Sequence, residues 1–106
     1  MRLILPTPVA AYFAAADLQA IADCFTANAV VYDENREHRG HAAIRDWHAA
    51  SAAAVQVVNT PIAATTHGNQ TVVTAEVSGN FPGSPIKLQF VFTISGSLIE
   101  RLEISG

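Results

Sequence analysis

Ala29-Val30-Val31-Tyr32-Asp33 is where this 106-residue chain changes its period. Upstream of it apolar residues recur at helical spacing; here a β-branched and aromatic run takes over, and the strand is favoured over the helix. Side chains alternate along a strand, so Val31 and Asp33 share one face while Val30 and Tyr32 share the other. A carboxylate is thereby placed on the same side as a valine that has every reason to be buried.

Toward the N-terminus, Thr7 before Pro8 reads as a helix start, an oxygen able to cap free amides followed by a proline preset for the first turn. Val9, Tyr12, Phe13 and Ala16 then form one helical stripe, which predicts a helix over 8–16. Asp17 looks like a second N-cap, with Leu18, Ile21, Ala22 and Phe25 repeating the spacing over 17–26. Cys24 lies inside that pattern. As the single cysteine it has no internal disulfide partner, and it reads as a small buried hydrophobe in a reducing compartment.

Toward the C-terminus, the polar segment 34–40 reads as a loop. A third helix over 41–54 carries Ile44, Trp47, His48 and Ser51 on its inward stripe, so polar groups occupy places where the pattern asks for apolar ones. Beyond it the chain is β, over 55–66, 71–78, 86–95 and 98–104, with turn signals at His67-Gly68-Asn69, at Phe81-Pro82-Gly83-Ser84-Pro85 and at Ser95-Gly96-Ser97. Pro61 makes the first of these strands an edge or a bulged one. In the third, Ile86, Leu88, Phe90, Phe92 and Ile94 form a core face opposite the mixed face of Lys87, Gln89, Val91 and Thr93.

Half of the residues are apolar, enough for one core, and 1–106 is expected to be a single domain. The formal charge is -3 and the six basic residues are scattered, so no basic stripe is present for nucleic acid or an anionic membrane. No apolar stretch reaches the length of a signal-peptide core or a membrane span, and the expected location is cytoplasmic. The four histidines do not cluster with metal-ligand spacing, and neither a metal nor a cofactor is expected. Helix, helix, strand, helix and then hairpin-linked strands spell an α+β domain, a curved antiparallel sheet with three helices on its concave face and a pocket where the helices stop short.

Asp17-Leu18 leading into Phe25, the Ala29 to Asp33 run, Gly40-His41-Ala42-Ala43-Ile44-Arg45 and Gly96-Ser97-Leu98-Ile99-Glu100-Arg101-Leu102 follow one another in an order that resembles the nuclear-transport-factor-2-like superfamily, in its SnoaL-like and ketosteroid-isomerase-like branch. The resemblance implies a cone-shaped α+β fold of the cystatin-like kind and a pocket for a small apolar molecule. It places Asp33 where such isomerases carry their general base. The positions of their oxyanion-binding tyrosine and second acid fall at about Val9 and Phe90 in this chain.

The candidate catalytic residues are therefore Asp33 as base and His48 as its partner, with Tyr12, Val31, Trp47, Phe81, Phe90 and Phe92 as candidate ligand-binding residues. Three functions remain open: an isomerase, cyclase or dehydratase, a non-catalytic binder of a small ligand, and an interaction module that uses the sheet face. A homodimer through the sheet is expected, because Val73, Ala75, Val77 and Val91 would leave the face opposite the helices apolar.

Overall fold

A computed structural model of the chain describes residues 3–55 and 57–106, the side chains of 51–55 excepted, and Ser51 therefore lies outside the described side chains. The chain order is α1 (Thr7–Ala14), α2 (Leu18–Asp23), β1 (Phe25–Asp33), β2 (Arg36–Arg39), α3 (His41–Val55), β3 (Val58–His67), β4 (Gln70–Ser78), β5 (Ile86–Ser95) and β6 (Leu98–Ser105). The strands form one sheet in the order β2-β1-β6-β5-β4-β3. All pairings among the strands after α3 are antiparallel, as expected, but β1 runs parallel to β6, so the sheet is mixed. The intervening chain provides the long connection that a parallel pair requires.

Local chemistry starts the helices. Asp17 caps α2, its Oδ1 accepting from the Ala20 amide at 2.8 Å. α1 begins differently from the sequence expectation: Thr7 is already helical, Pro6 is the N-cap without a side-chain bond, and Pro8 in the first turn removes an amide that would otherwise lack a partner. α2 ends before the expected 26, because the sheet claims the residues beyond Asp23. The Ile99 amide donates to the Cys24 carbonyl at 2.8 Å and Phe25 pairs with Ile99, after which a register shift leads to Val30. Phe25 is buried in either conformation, so helical spacing alone cannot exclude its being a strand residue.

The segment read as a loop, 34–40, is a hairpin arm. Glu34 and Asn35 sit at φ 53 and 62, the double left-handed geometry of a tight two-residue turn, and β2 pairs back on β1 with Asp33 opposite Arg36. Its sequence, Arg36-Glu37-His38-Arg39, carries no β signature; a short, charged strand is a common way to protect a sheet edge. At the other edge, β3 starts at Val58 because α3 continues to Val55, and its ladder shifts register between Pro61 and Ala63.

The sheet's inner face consists of rows that run across the strands. Val31 pairs with Leu102, Leu102 with Phe92 and Phe92 with Thr71, and all four are fully buried beneath the helices with Val9, Ile21 and Ile44. In the next row Ile104 pairs with Phe90 and Phe90 with Val73. Val73, Ala75 and Val77 are therefore core residues on the helix side, not part of the outer face. β4 has β-branched residues at both parities, Val72 and Val73, so alternation could not choose between faces; pairing with β5 does, and sets Val72 opposite Val91, Thr74 opposite Gln89 and Glu76 opposite Lys87 on the outside. The apolar patch expected to carry a sheet dimer thus loses three of its four residues. Elsewhere on that outer face Arg101 lies over the Tyr32 ring, 4.7 Å from its centroid.

The two faces should respond differently to charge. Val73→Asp buries an unpaired carboxylate and is expected to cost about 3–5 kcal/mol, whereas Val91→Lys should stay within about 1 kcal/mol of the parent. Urea denaturation midpoints of the two variants check the assignment, and equal losses would contradict it.

Candidate functional site

One row beyond the buried Val31 row the helices cover the sheet only in part, Phe13 of α1 still packing on Phe90, and a cavity of about 550 Å³ opens. Residues two apart on a strand are separated by roughly 7 Å. Over that step β1 passes from the buried Val31 to Asp33, which lines the cavity. Val31 and Phe92, expected as ligand-binding residues, are both 0% exposed and do not line the cavity. Asp33, Phe90 and Ile104 line the cavity from the sheet, Tyr12, Trp47 and His48 from the helices, and Phe81 from the loop between β4 and β5.

Asp33 is placed by the end of β1 and the tight turn after it. α3 crosses this end of the sheet, and the Trp47 indole Nε1 donates to Asp33 Oδ2 at 2.9 Å. Oδ1 accepts no hydrogen bond from the described residues. Trp47 is held in turn by rings on two sides, His38 at 6.1 Å and His48 at 5.7 Å between centroids. The bond is charge-assisted and partly shielded from water, so it fixes the carboxylate plane and leaves one oxygen free.

Tyr12 reaches the site from α1. It is buried in edge-on contact with Phe13 at 5.2 Å and Phe92 at 5.4 Å, and its ring meets His48 at 6.4 Å. Its hydroxyl makes no hydrogen bond among the described residues. No fully enclosed side-chain polar atom among them lacks a partner, so the hydroxyl is open to the cavity it lines. Burial, and after it the negative charge of Asp33 and then Cys24, holds the phenol well above the ordinary tyrosine range. Tyr12 therefore keeps its proton at neutral pH and has an O–H to offer.

His48 also lines the cavity with its ring unbonded by the described residues. Burial lowers its pKa, and the imidazole is neutral at neutral pH. The expected partnership of His48 with Asp33 is not present as a hydrogen bond: Trp47 holds the carboxylate, and Tyr12 feels its charge. The helical stripe that carries Ile44, Trp47 and His48 cannot tell which of Trp47 and His48 meets the strand end.

The remaining wall includes Val57, Asn59, Val77, Leu88 and Ile104. Leu88 shared the inward parity already read from β5, whereas Val77 was on the misassigned face, and nothing in the sequence marked Asn59. The other histidines are elsewhere: the His41 ring donates to the Phe25 carbonyl at 2.9 Å, and His67 is exposed at the end of β3. Among the described residues no three His, Cys, Asp or Glu side chains gather as a ligand set. No helix among them is long and apolar enough to cross a membrane.

The depressed His48 pKa gives stability a pH dependence of definite sign. As pH falls through the unfolded value, about 6.5, the unfolded chain takes up a proton that the native state refuses. Native stability drops until the pH is below the folded value, where the loss levels off. His48→Gln should lose less stability than the parent between about pH 7.5 and about pH 5.5, as read from urea midpoints. An equal loss would mean that His48 titrates normally.

The fold and the wall residues can be set beside known proteins. The structure of a protein from Sinorhizobium meliloti proposed to be a polyketide cyclase superposes with a TM-score of 0.93 at 42% identity, over 95% of each chain. A ketosteroid-isomerase-like protein from Catenulispora acidiphila, in complex with trimethylamine, matches at 0.84 and 19% identity over 97% of this chain and 87% of that one. A nuclear-transport-factor-2-like protein of unknown function from Cytophaga hutchinsonii matches at 0.73 and 13% identity, over 99% and 93%. No curated protein matches the chain. The SnoaL-like domain model matches residues 9–101, nearly the whole chain from α1 into β6, and the chain belongs to the SnoaL-like family.

Proposed function

We propose that this chain is an enzyme acting on a carbonyl-bearing, largely apolar small molecule, with Asp33 removing a proton from the carbon next to the carbonyl. The observation that carries the reading is that Asp33 Oδ1 and the Tyr12 hydroxyl, neither hydrogen-bonded among the described residues, share one largely apolar cavity, close enough for the carboxylate charge to raise the phenol pKa. Asp33 Oδ1 takes the proton, and the C–H electron pair moves into the carbonyl to give an enolate. The Tyr12 hydroxyl donates to the developing oxyanion, and the neutral His48 ring offers a second N–H. Trp47 holds the base in place throughout.

Tyr12 supplies what the sequence lacked. The resemblance put the isomerase tyrosine position at about Val9; the hydroxyl that meets the cavity comes from one turn later on the same helix. Closing a ring by attack of the enolate on a second carbonyl of the same molecule is favoured over proton return at another carbon, because of the likeness to the Sinorhizobium meliloti protein. A non-catalytic binder is the second reading. It is favoured by Phe90, which lines the wall where isomerases carry their second acid.

β-Tetralone, whose α-protons are moderately acidic, allows a test that needs no native substrate. Deuterium incorporation from heavy water, followed by NMR, should be faster with the parent protein than in buffer. It should fall about 10²–10⁴-fold in Asp33→Asn and about 10²-fold in Tyr12→Phe. A parent protein that gives no acceleration while still binding the ketone would establish the binder instead.

A further inference from the structure

Asp33 is not at the end of a closed pocket. A second hollow of about 430 Å³ begins on its other side, walled by Asn35 of the turn and Ser105 of β6, and shares Asp33, Glu34, Ile86, Leu88 and Ile104 with the first. These five residues are the border between the two hollows. Beyond it the inner chamber is aromatic and aliphatic, whereas the outer trough offers the turn and the end of β6. Ile86, 39% exposed at the start of β5, belongs to both walls, which gives this surface-facing isoleucine a role.

The charges at this border have one sign. Asp33 and Glu34 line both hollows, and no Lys or Arg lines either among the described residues. Arg36 stands opposite Asp33 in the hairpin register, but it is exposed and is in neither of the ion pairs found among the described residues, Arg39 with Glu37 and Arg101 with Glu103. Lys87 is on the outer face opposite Glu76. A concave site with apolar walls and charges of one sign concentrates its field and repels ligands of that sign.

We propose that the two hollows are one channel with Asp33 where they meet, and that its substrate is an extended molecule without an anionic group, its apolar part in the inner chamber and its remainder along the outer trough. This rests on the reading of Asp33 as the group that meets the reacting carbon. It narrows the substrate class: free carboxylic acids and acyl groups carried on phosphate-bearing carriers are rejected, and neutral or cationic molecules longer than the inner chamber are accepted.

The test tracks binding rather than turnover. Trp47 is the only tryptophan, so its indole N–H gives a single NMR resonance from a group bonded to Asp33. The methyl ketone of naphthalene should shift that resonance, and naphthoate, matched in shape, should bind at least about tenfold more weakly. In the double variant Asp33→Asn, Glu34→Gln the gap should shrink to about threefold or less, while Arg36→Gln should leave it unlowered. 4-Acetylbiphenyl, whose two rings are joined end to end and reach farther than the fused naphthyl pair, should also shift the amides of Asn35 and Ser105, which the naphthyl ketone leaves in place.

Naphthoate binding as tightly as the ketone would overturn the charge selection, as would a gap indifferent to the double variant. Silent Asn35 and Ser105 amides with the longer ketone would overturn the channel, and so would an indole resonance that no probe moves. Charge-selective binding without deuterium exchange would leave this inference standing and remove the enzymatic reading, so the two fail separately.

Discussion

The parallel ladder between β1 and β6 is the constraint on which the rest of the molecule depends. Strands after α3 are joined by hairpins and find their neighbours locally, but β1 must be joined to the other end of the chain. Once Val31 is registered against Leu102, Asp33 is brought beside Ile104, two residues on, and Phe90 takes its place through the antiparallel pairing of β5. The same ladder ends α2 at Asp23, since Phe25 must pair with Ile99. A carboxylate from the first third of the chain and a wall from its last third meet through backbone hydrogen bonds alone, before any side chain contributes specificity.

The polar groups within that frame are economically arranged. An unpaired carboxylate in an apolar cavity would be expensive, and the single indole bond from Trp47 offsets part of the cost while leaving Oδ1 free. The Tyr12 hydroxyl and the His48 ring have no hydrogen-bond partner among the described residues, and both open on the cavity. Three groups with spare hydrogen-bonding capacity thus converge on one largely apolar space. Burial keeps the Tyr12 phenol protonated and the His48 imidazole neutral at neutral pH. A site prepared in this way needs little rearrangement when a ligand carbonyl arrives.

Much of the architecture was legible because it rests on local chemistry. Asp17 caps its helix, Pro61 marks an edge strand, and alternation sent Asp33 inward and Tyr32 outward to its stack with Arg101. Where the reading failed, two structures satisfied the same local pattern. Phe25 is apolar at a helical repeat and also at a strand pairing; Val72 and Val73 are equally good strand residues on either face; and the charged segment 36–39 has no intrinsic preference for the strand that its turn imposes. In each case a partner on another element made the choice.

By itself, the sequence determined the element types, the inward direction of Asp33, Trp47 and His48, and the membership of a fold that leaves part of a curved sheet uncovered. These come from periods of 3.6 and 2, and from capping and turn residues, all of which act over a few residues. Only the tertiary structure decided that Trp47 rather than His48 holds the carboxylate, that Tyr12 has the free hydroxyl, and that Val31 and Phe92 are core while Phe90 is wall. The reason is geometric. Which inward residues are covered depends on where three helices end over six strands, and that edge is set by register and packing between elements, quantities that no local pattern contains.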